Sequence, residues 1–154
     1  MEIQLIKAGM SDCADIHRMQ AAAFEALLDK YQDFDTSPGA EPVKKIEQRM
    51  AQENCTYYLV CLNDVKIGAV RVVKINEDTF RISQMFILPE YQGKGYAQQA
   101  IALAESFHPQ AKHWTLDTIK QEAKLCHLYE KMGYRPTGTQ KHIKDGMDLL
   151  DYAK

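Results

Sequence analysis

A six-residue turn, Gln92-Gly93-Lys94-Gly95-Tyr96-Ala97, strongly constrains the fold of this chain. It follows an apolar run, Met85–Leu88, and leads directly into a helical pattern. The first N–H groups of a helix lack intrahelical partners, and the helix dipole favours negative charge beside them. Gly93 and Gly95 allow close backbone approach and positive φ angles, and Lys94 adds a positive charge. The turn therefore predicts a binding site for a phosphate-bearing molecule.

The composition excludes several classes of protein. The 154 residues suit one domain, which we expect to span 1–154. Hydrophobic residues make up 45% and charged residues 26%, as in ordinary globular proteins. The net charge of −2 provides no broad positive field, so we expect neither nucleic acid nor a membrane as a partner. No apolar run is long enough to cross a bilayer.

The cysteines and the N-terminus indicate a cytoplasmic protein. The four cysteines form no C-x-x-C pair and lack zinc-ligand spacing, so we expect free thiols and no metal. The N-terminus, Met1-Glu2-Ile3-Gln4, lacks a basic segment followed by an apolar one, and no secretory signal is visible.

The first half of the chain predicts one strand, two helices and three further strands. The strand covers residues 3–7, and Ser11 is the expected N-cap of a helix that ends near Lys30. Its apolar face is Ile16, Met19, Ala23 and Leu27. A loop over 31–42 precedes a short helix over 43–52. The strands are predicted at 56–62, 66–75 and 80–88, with Gly68 at a bulge or close packing point.

The second half alternates helices and strands. The helix after the glycine turn carries Ala97, Ile101, Ala104 and Phe107 on one face and stops at Pro109. A strand over 113–118, a helix over 120–132 closed by Gly133, and a final strand pair with its second strand at 147–152 follow. This β-α-α-β-β-β-α-β-α-β-β order predicts a mixed α/β sheet with helices on both faces.

Two blocks and this element order resemble the GCN5-related N-acetyltransferases, the GNAT family. The segment from Ile87 to Ala97 is similar to the family's V-x-P-x-x-R/Q-G-x-G-x-G/A signature. Leu128-Tyr129-Glu130-Lys131-Met132-Gly133-Tyr134 is similar to its L-Y-E-K-x-G-F block. The resemblance spans nearly the whole chain. It implies a single-domain acyl-CoA acyltransferase fold, with a mixed, mostly antiparallel sheet and a splayed central strand pair.

The resemblance implies acetyl-CoA as co-substrate and a donor site residue by residue. The backbone of Gln92, Gly93, Lys94, Gly95, Tyr96 and Ala97 would hold the pyrophosphate. The main chain at Met85 and Ile87 would pair with the pantetheine arm like an added strand. The family usually has a bulge in this strand, and the acyl group lies where the strand separates from its neighbour.

Tyr129 is the expected catalytic residue, because it matches the family tyrosine that faces the thioester sulfur. The reaction is acyl transfer from a thioester to an amine, and the leaving thiolate needs a proton or a strong hydrogen bond. The simpler alternative is that Tyr129 is a packed aromatic beside Met132. Glu122 departs from the family, which often has a cofactor-contacting Asn there, so no cofactor role is assigned to it.

The general base is not visible in the sequence. His113, in the strand next to the expected acyl gap, and His142, in the final hairpin region, are candidates, although an exposed or structurally satisfied histidine explains either one more simply. The family often removes the amine proton through water chains.

The acceptor is expected to be a primary amine of a small molecule or peptide. The stretch from Glu25 to Glu41 contains five carboxylates, at Glu25, Asp29, Asp33, Asp35 and Glu41, which favours a cationic amine by charge. A solvated acidic loop explains the same residues. A non-catalytic acyl-CoA sensor is the alternative function, and the resemblance leaves homodimerisation and transfer to oxygen open.

Overall fold

The computed structural model describes residues 2–154, and Met1 of the predicted 1–154 domain lies outside them. Its strands and helices follow the predicted order. The strands are β1 Gln4–Lys7, β2 Cys55–Leu62, β3 Val65–Lys74, β4 Thr79–Ile87, β5 His113–Ile119, β6 Arg135–Lys144 and β7 Met147–Ala153. The helices are α1 Cys13–Tyr31, α2 Val43–Met50, α3 Tyr96–Ser106 and α4 Ala123–Lys131.

The seven strands form one sheet in the order β1-β2-β3-β4-β5-β7-β6. All neighbours are antiparallel except β4 and β5, which run parallel. That parallel pair is joined only along Thr79–Arg81 and His113–Thr115. Beyond these residues the two strands separate, so a gap opens in the middle of the sheet toward their carboxyl ends. The predicted splayed pair is confirmed.

A bulge in β4 marks the start of this gap. Arg71 of β3 pairs with Gln84, and the next residue, Val72, pairs with Ile82. Ser83 is therefore the extra residue of β4. A bulge bends its strand and increases the local twist, which accounts for the divergence of β4 from β5.

Two apolar clusters lie on opposite faces of the sheet. One packs α1 and α2 over residues such as Tyr57, Leu59 and Phe86. The other packs α3 and the end of α4 over residues such as Val60, Val70 and Ile82. Successive strand residues point to opposite faces, which is why neighbouring side chains such as Tyr57 and Tyr58 join different clusters. The predicted helices on both faces are confirmed.

Gly68 lets β3 and β4 pack at the point where β2 and β3 change register. Val60 pairs with Gly68 and Cys61 with Lys66, which leaves Ile67 as an extra residue in β3. A Cβ atom on Gly68 would lie 2.1 Å from the Phe86 carbonyl oxygen. The glycine is therefore required by close backbone approach, in agreement with the sequence prediction.

The predicted N-cap at Ser11 is wrong. A short 3₁₀ turn, Met10–Asp12, precedes α1, and Asp12 occupies the N-cap position of α1. The Asp12 carboxylate accepts a hydrogen bond from the Gly9 N–H at 2.8 Å. This hydrogen bond between Asp12 and Gly9 stabilises the tighter 3₁₀ turn, so the regular helix begins two residues after Ser11.

The other boundaries differ by a few residues. The fourth helix begins at Ala123 instead of Lys120, because the Lys120 N–H donates to the Asp148 carbonyl and continues the sheet. The second helix ends at Met50 instead of Gln52. Phe107, expected on the buried face of α3, is 44% exposed. Within residues 2–154 no helix is both long enough and apolar enough to cross a bilayer.

Candidate functional site

The glycine turn presents an open backbone at the start of α3. Gly95 is the N-cap of this helix with φ 84°, and Gly93 has φ 76°. Apart from each glycine and its two chain neighbours, no atom of residues 2–154 lies within 4 Å of where a Cβ would stand on Gly93 or Gly95. The side chain of Tyr96 points into the core, so this residue offers only its main chain to the turn. The free N–H groups of a helix start thus face an unobstructed space, as an anion site requires.

The edge of β4 that borders the gap lies beside this turn. The Leu88 N–H donates to the Ile67 carbonyl of β3 at 2.7 Å. Because main-chain groups alternate in direction along an antiparallel pair, Phe86 also faces β3, whereas Met85 and Ile87 face the gap. The Gln92 side chain donates to the Ile87 carbonyl at 2.8 Å and so fixes the turn to the strand. The main-chain groups of Met85 and the N–H of Ile87 therefore remain on the side of β4 that faces the gap.

Tyr129 closes the other side of the gap. It is buried and belongs to the same apolar cluster as Ile87, with Met85 packed against that cluster. Burial raises the pKa of its hydroxyl to about 12, with smaller contributions from the nearby Asp117 and Cys126. Asp117 lies on the separated part of β5 and is ion-paired with Arg81 at 2.8 Å. The Tyr129 hydroxyl is therefore neutral and able to donate a hydrogen bond over the whole physiological pH range.

A second tyrosine fixes the orientation of the first. The rings of Tyr129 and Tyr134 meet edge to face with centroids 6.3 Å apart. The Tyr134 hydroxyl donates to Glu105 at 2.6 Å, and Lys154 lies 2.8 Å from the other oxygen of that carboxylate. Burial and the Glu105 hydrogen bond both raise the pKa of Tyr134, which keeps this support uncharged. The aromatic that ends the Leu128–Tyr134 block thus has a structural role.

Glu122 lies at the mouth of the gap and joins two helices. Its carboxylate accepts hydrogen bonds from the Lys30 ammonium at 2.6 Å and from the Tyr31 hydroxyl at 2.5 Å. Burial tends to raise the pKa of Glu122, but these two donors outweigh it and lower the pKa. The residue that replaces the family's Asn therefore ties the end of α1 to the start of α4. No local sequence signal reveals this contact, because Glu122 lies more than 90 residues from both Lys30 and Tyr31.

The two histidines considered as bases are not in the gap. His113 pairs with Thr79 at the closed end of the β4–β5 pair and is exposed. The His142 ring bonds to Asp148 at 2.8 Å on the outer hairpin and is 65% exposed. His113 does lie in the strand that borders the gap, as expected, but at the end where β4 and β5 are still paired.

A further histidine, His108, is also unsuited to act as a base in the gap. It is packed against Phe80 and bonded to the Tyr58 hydroxyl at 2.9 Å. Burial lowers its pKa, so the ring is neutral at physiological pH. Its hydrogen bond and its packing give it a structural role.

The acidic stretch between α1 and α2 is less negative than its sequence suggests. Glu41 turns inward and receives two hydrogen bonds from Arg49, at 2.6 and 2.8 Å. Asp33 accepts from the Thr36 hydroxyl within its own turn. The exposed members are Glu25, Asp29 and Asp35. Only the solvent-facing carboxylates therefore support the prediction of a cationic acceptor, because the charge of Glu41 is balanced by Arg49.

The inward position of Glu41 reveals a polar cluster that the sequence patterns do not predict. Its members lie on the α1–α2 face of the sheet, around the bulge. They are Gln20, Glu41, Arg49, Tyr57, Arg71 and Gln84. The sequence contains one signal of it: Arg71 is a charged residue flanked by Val70 and Val72 in an apolar strand. In residues 2–154 no group of three or more His, Cys, Asp or Glu side chains is arranged to hold a metal ion.

Comparison with known proteins agrees with this geometry. The sequence model of the acetyltransferase (GNAT) family matches residues 19–134. The chain belongs to the GNAT acetyltransferase family. The matched residues include the bulged strand β4, the glycine turn and Tyr129, so the whole gap described above lies within the family match.

Individual members of the family show how far the likeness extends. The spermidine N(1)-acetyltransferase of Escherichia coli K12 is 35% identical over 89 residues, which cover 55% of this chain and 48% of that enzyme. The match therefore spans about half the length of this relative. The PaiA N-acetyltransferase of Thermoplasma acidophilum in complex with coenzyme A superimposes with a TM-score of 0.79 at 12% identity, over 98% of each chain.

A third relative has the same fold. The spermidine N-acetyltransferase of Vibrio cholerae in complex with CoA and spermine gives a TM-score of 0.79 at 20% identity, over 99% of this chain and 95% of that one. At such low identities the two superpositions show a common fold and nothing finer.

Proposed function

We propose that this chain is an acetyl-CoA-dependent N-acetyltransferase, which transfers acetyl directly from the CoA thioester to a primary amine of a small molecule or peptide. The observation that carries the proposal is the open main chain of Met85 and Ile87, which lies between the glycine turn and Tyr129. A donor bound there would have its pyrophosphate at the turn and its thioester beside the tyrosine. The family membership and the CoA complexes of related structures support the same donor.

The donor residues have separate tasks in this proposal. The N–H groups from Gly93 to Ala97 bind the pyrophosphate oxygens. Gln92 positions the turn through its bond to Ile87. Met85 and Ile87 form strand-like hydrogen bonds with the amides of the pantetheine arm. These contacts hold the thioester in a fixed position, which lowers the entropic part of the barrier to attack.

Tyr129 acts as general acid toward the leaving thiolate. A pKa of about 12 keeps the hydroxyl protonated and ready to donate. Complete transfer to a thiolate of pKa about 8.5 would cost about 5 kcal/mol at roughly 1.4 kcal/mol per pKa unit. A strong hydrogen bond that develops as negative charge appears on the sulfur therefore provides most of the stabilisation. The amine loses its proton to water in the gap, since His113 and His142 lie elsewhere, and water returns a proton to Tyr129 once the sulfur has taken one.

Direct transfer is favoured over a covalent acyl-enzyme. The Cys126 thiol donates weakly to the carbonyls of Ile119 and Lys120, at 3.7 Å each. The thiol is therefore engaged by main-chain carbonyls at the end of β5. Intact-mass measurement after incubation with acetyl-CoA alone should show unmodified protein. A stable increase by one acetyl group on Cys126 would contradict direct transfer.

The proposed function is tested by donor binding and turnover together. Calorimetry should detect binding of acetyl-CoA, and much weaker binding of acetyl-pantetheine, which lacks the pyrophosphate. Incubation with acetyl-CoA and a panel of primary amines should yield acetylated amine and free CoA in equal amounts, measured by mass spectrometry. Tight binding without turnover of any amine would indicate the sensor function instead. Equal affinities for acetyl-CoA and acetyl-pantetheine would show that the glycine turn does not bind the pyrophosphate.

A further inference from the structure

The polar cluster beside the β4 bulge contains buried atoms that lack partners. Four side-chain atoms with essentially no solvent contact form no hydrogen bond within residues 2–154: Gln20 Oε1, Tyr57 Oη, Arg71 Nε and Gln84 Oε1. Gln20 and Tyr57 are 0% and 1% exposed. Folded proteins satisfy nearly all buried polar groups, so four in one place require an explanation.

These four residues are neighbours in space. Tyr57, Arg71 and Gln84 lie directly opposite one another on β2, β3 and β4. Adjacent strands are about 4.8 Å apart, so the three side chains form a row across the sheet. The amide nitrogens of Gln20 and Gln84 both donate to Glu41 Oε1, at 2.9 and 3.2 Å. The row is thus covered by the α1–α2 connection.

Arg71 carries an uncompensated charge in this row. The other arginines of the chain each donate to a carboxylate or a main-chain carbonyl: Arg18 to Asp15, Arg49 to Glu41, Arg81 to Asp117, and Arg135 to Glu130 and Tyr134. Within residues 2–154, Arg71 has no such acceptor. Burial raises the pKa of the Cys55 thiol and of Tyr57, and the nearby Arg71 charge opposes both shifts. Glu41 cannot balance the charge of Arg71, because its carboxylate is already paired with Arg49.

The row borders the place where acyl transfer would occur. Gln84 follows the bulged Ser83 and precedes Met85, whose main chain faces the gap. Consecutive Cα atoms are about 3.8 Å apart, so a ligand group at Gln84 is within reach of the gap. Arg71 and Gln84 are both partly exposed, so solvent reaches parts of these two side chains although it does not reach the four partnerless atoms.

We propose that Arg71, Tyr57 and Gln84 form a subsite that binds the carboxylate-bearing end of the acceptor, so that the enzyme prefers amino-acid-like amines over polyamines. The Arg71 guanidinium and the Tyr57 hydroxyl donate to the carboxylate, a pairing for which the planar guanidinium is well suited. The free oxygens of Gln84 and Gln20 accept from the acceptor's polar N–H groups. The inference rests on the proposed function for its chemistry. It gives Arg71 Nε and Gln20 Oε1 the partners that residues 2–154 do not provide.

The first arm of the test compares acceptors that differ only in the carboxylate. A pool of amino acids, the pool of matching carboxamides, the matching decarboxylated amines, and spermidine are offered separately with acetyl-CoA. Wild type should acetylate the amino acids with at least tenfold higher kcat/KM. Equal rates on all pools, or a preference for spermidine, would leave the proposed function intact and overturn the subsite.

The second arm uses variants of Arg71. Arg71→Gln should raise the KM for amino acids at least tenfold, with little change for the decarboxylated amines or for acetyl-CoA. Arg71→Lys, which keeps the charge without the planar fork, should be intermediate. Arg18→Gln is the matched control, because Arg18 is exposed on α1, and it should resemble wild type. A loss of equal size on every acceptor would indicate a merely structural arginine.

The third arm is independent of turnover. Thermal melting with CoA present should show stabilisation of wild type by the amino-acid pool and none of Arg71→Gln. Without ligands, Arg71→Gln should melt at the same temperature as wild type or higher, since it removes a partnerless buried donor. If no amine is acetylated, the proposed function fails, and this melting difference still decides the subsite. No amino-acid-dependent shift in wild type would overturn it, leaving water as the partner of the four atoms.

Discussion

The Lys30 ammonium lies 2.6 Å from the Glu122 carboxylate and joins the end of α1 to the start of α4. These helices pack on opposite faces of the sheet, so the contact spans the mouth of the gap between β4 and β5. The Tyr31 hydroxyl donates to the same carboxylate. The residue that stands where the family often has a cofactor-contacting Asn thus connects α1 to α4.

Glu122→Gln should loosen the end of α1 without unfolding the protein. The Lys30 side chain is 58% exposed, so solvent screens its ion pair and the contribution to global stability is small. The expected result is a small fall in Tm and faster amide hydrogen exchange at residues 28–32, measured by mass spectrometry. Glu77→Gln is the matched control, because it removes an exposed ion pair, with Lys74, at a distant turn. Unchanged exchange at residues 28–32 would show that α1 is held by packing alone.

Tyr129→Phe should reduce kcat by about a hundredfold or more, the usual contribution of a positioned proton donor. The KM for acetyl-CoA should change little, because the hydroxyl acts mainly when charge develops on the sulfur. Stability should change little, because phenylalanine keeps the ring and its packing in the apolar cluster. Full turnover of Tyr129→Phe at saturating acceptor would show that Tyr129 contributes only packing.

Gly95→Ala should weaken acetyl-CoA binding about tenfold or more, which corresponds to roughly 1.4 kcal/mol. A side chain at φ 84° is strained by about 1–2 kcal/mol, and the added methyl stands where a phosphate would approach. Gly138→Ala is the matched control. Its φ is 97°, and apart from its chain neighbours no atom of residues 2–154 lies within 4 Å of where its Cβ would stand. Gly138 lies on β6, far from the glycine turn. Both variants should lose similar stability, and only Gly95→Ala should lose affinity in calorimetry.

Local patterns predicted the glycine turn and its flanking strand and helix because their determinants are close in sequence. The glycine turn, the preceding strand and the start of α3 lie within about 20 residues, and backbone geometry fixes their relation. Glu122 with Lys30, and Arg71 with Gln84, are brought together only by the sheet order and the helix packing. The insertion of β7 between β5 and β6 was equally hidden, because strand alternation reveals strands and not their neighbours.

Glu41→Gln should cost about 3–5 kcal/mol, because it leaves the Arg49 guanidinium without its charge partner in a buried position. The two side chains are only 12% and 17% exposed. Glu41→Gln/Arg49→Met, which removes both charges, should recover much of the loss in urea denaturation. A double variant no more stable than Glu41→Gln would mean that Gln20 and Gln84 depend on the carboxylate itself.

The same ion pair predicts a specific acid response. Burial would raise the pKa of Glu41, but the hydrogen bonds and charge of Arg49 outweigh it and lower the pKa. A carboxylate whose pKa is depressed on folding stabilises the protein above its unfolded pKa of about 4.3, and this stabilisation is lost as the pH falls through the folded value. Wild-type stability should therefore fall more steeply than that of Glu41→Gln below about pH 4, as measured by urea denaturation across the acid range. Parallel curves for the two proteins would show that Glu41 titrates normally.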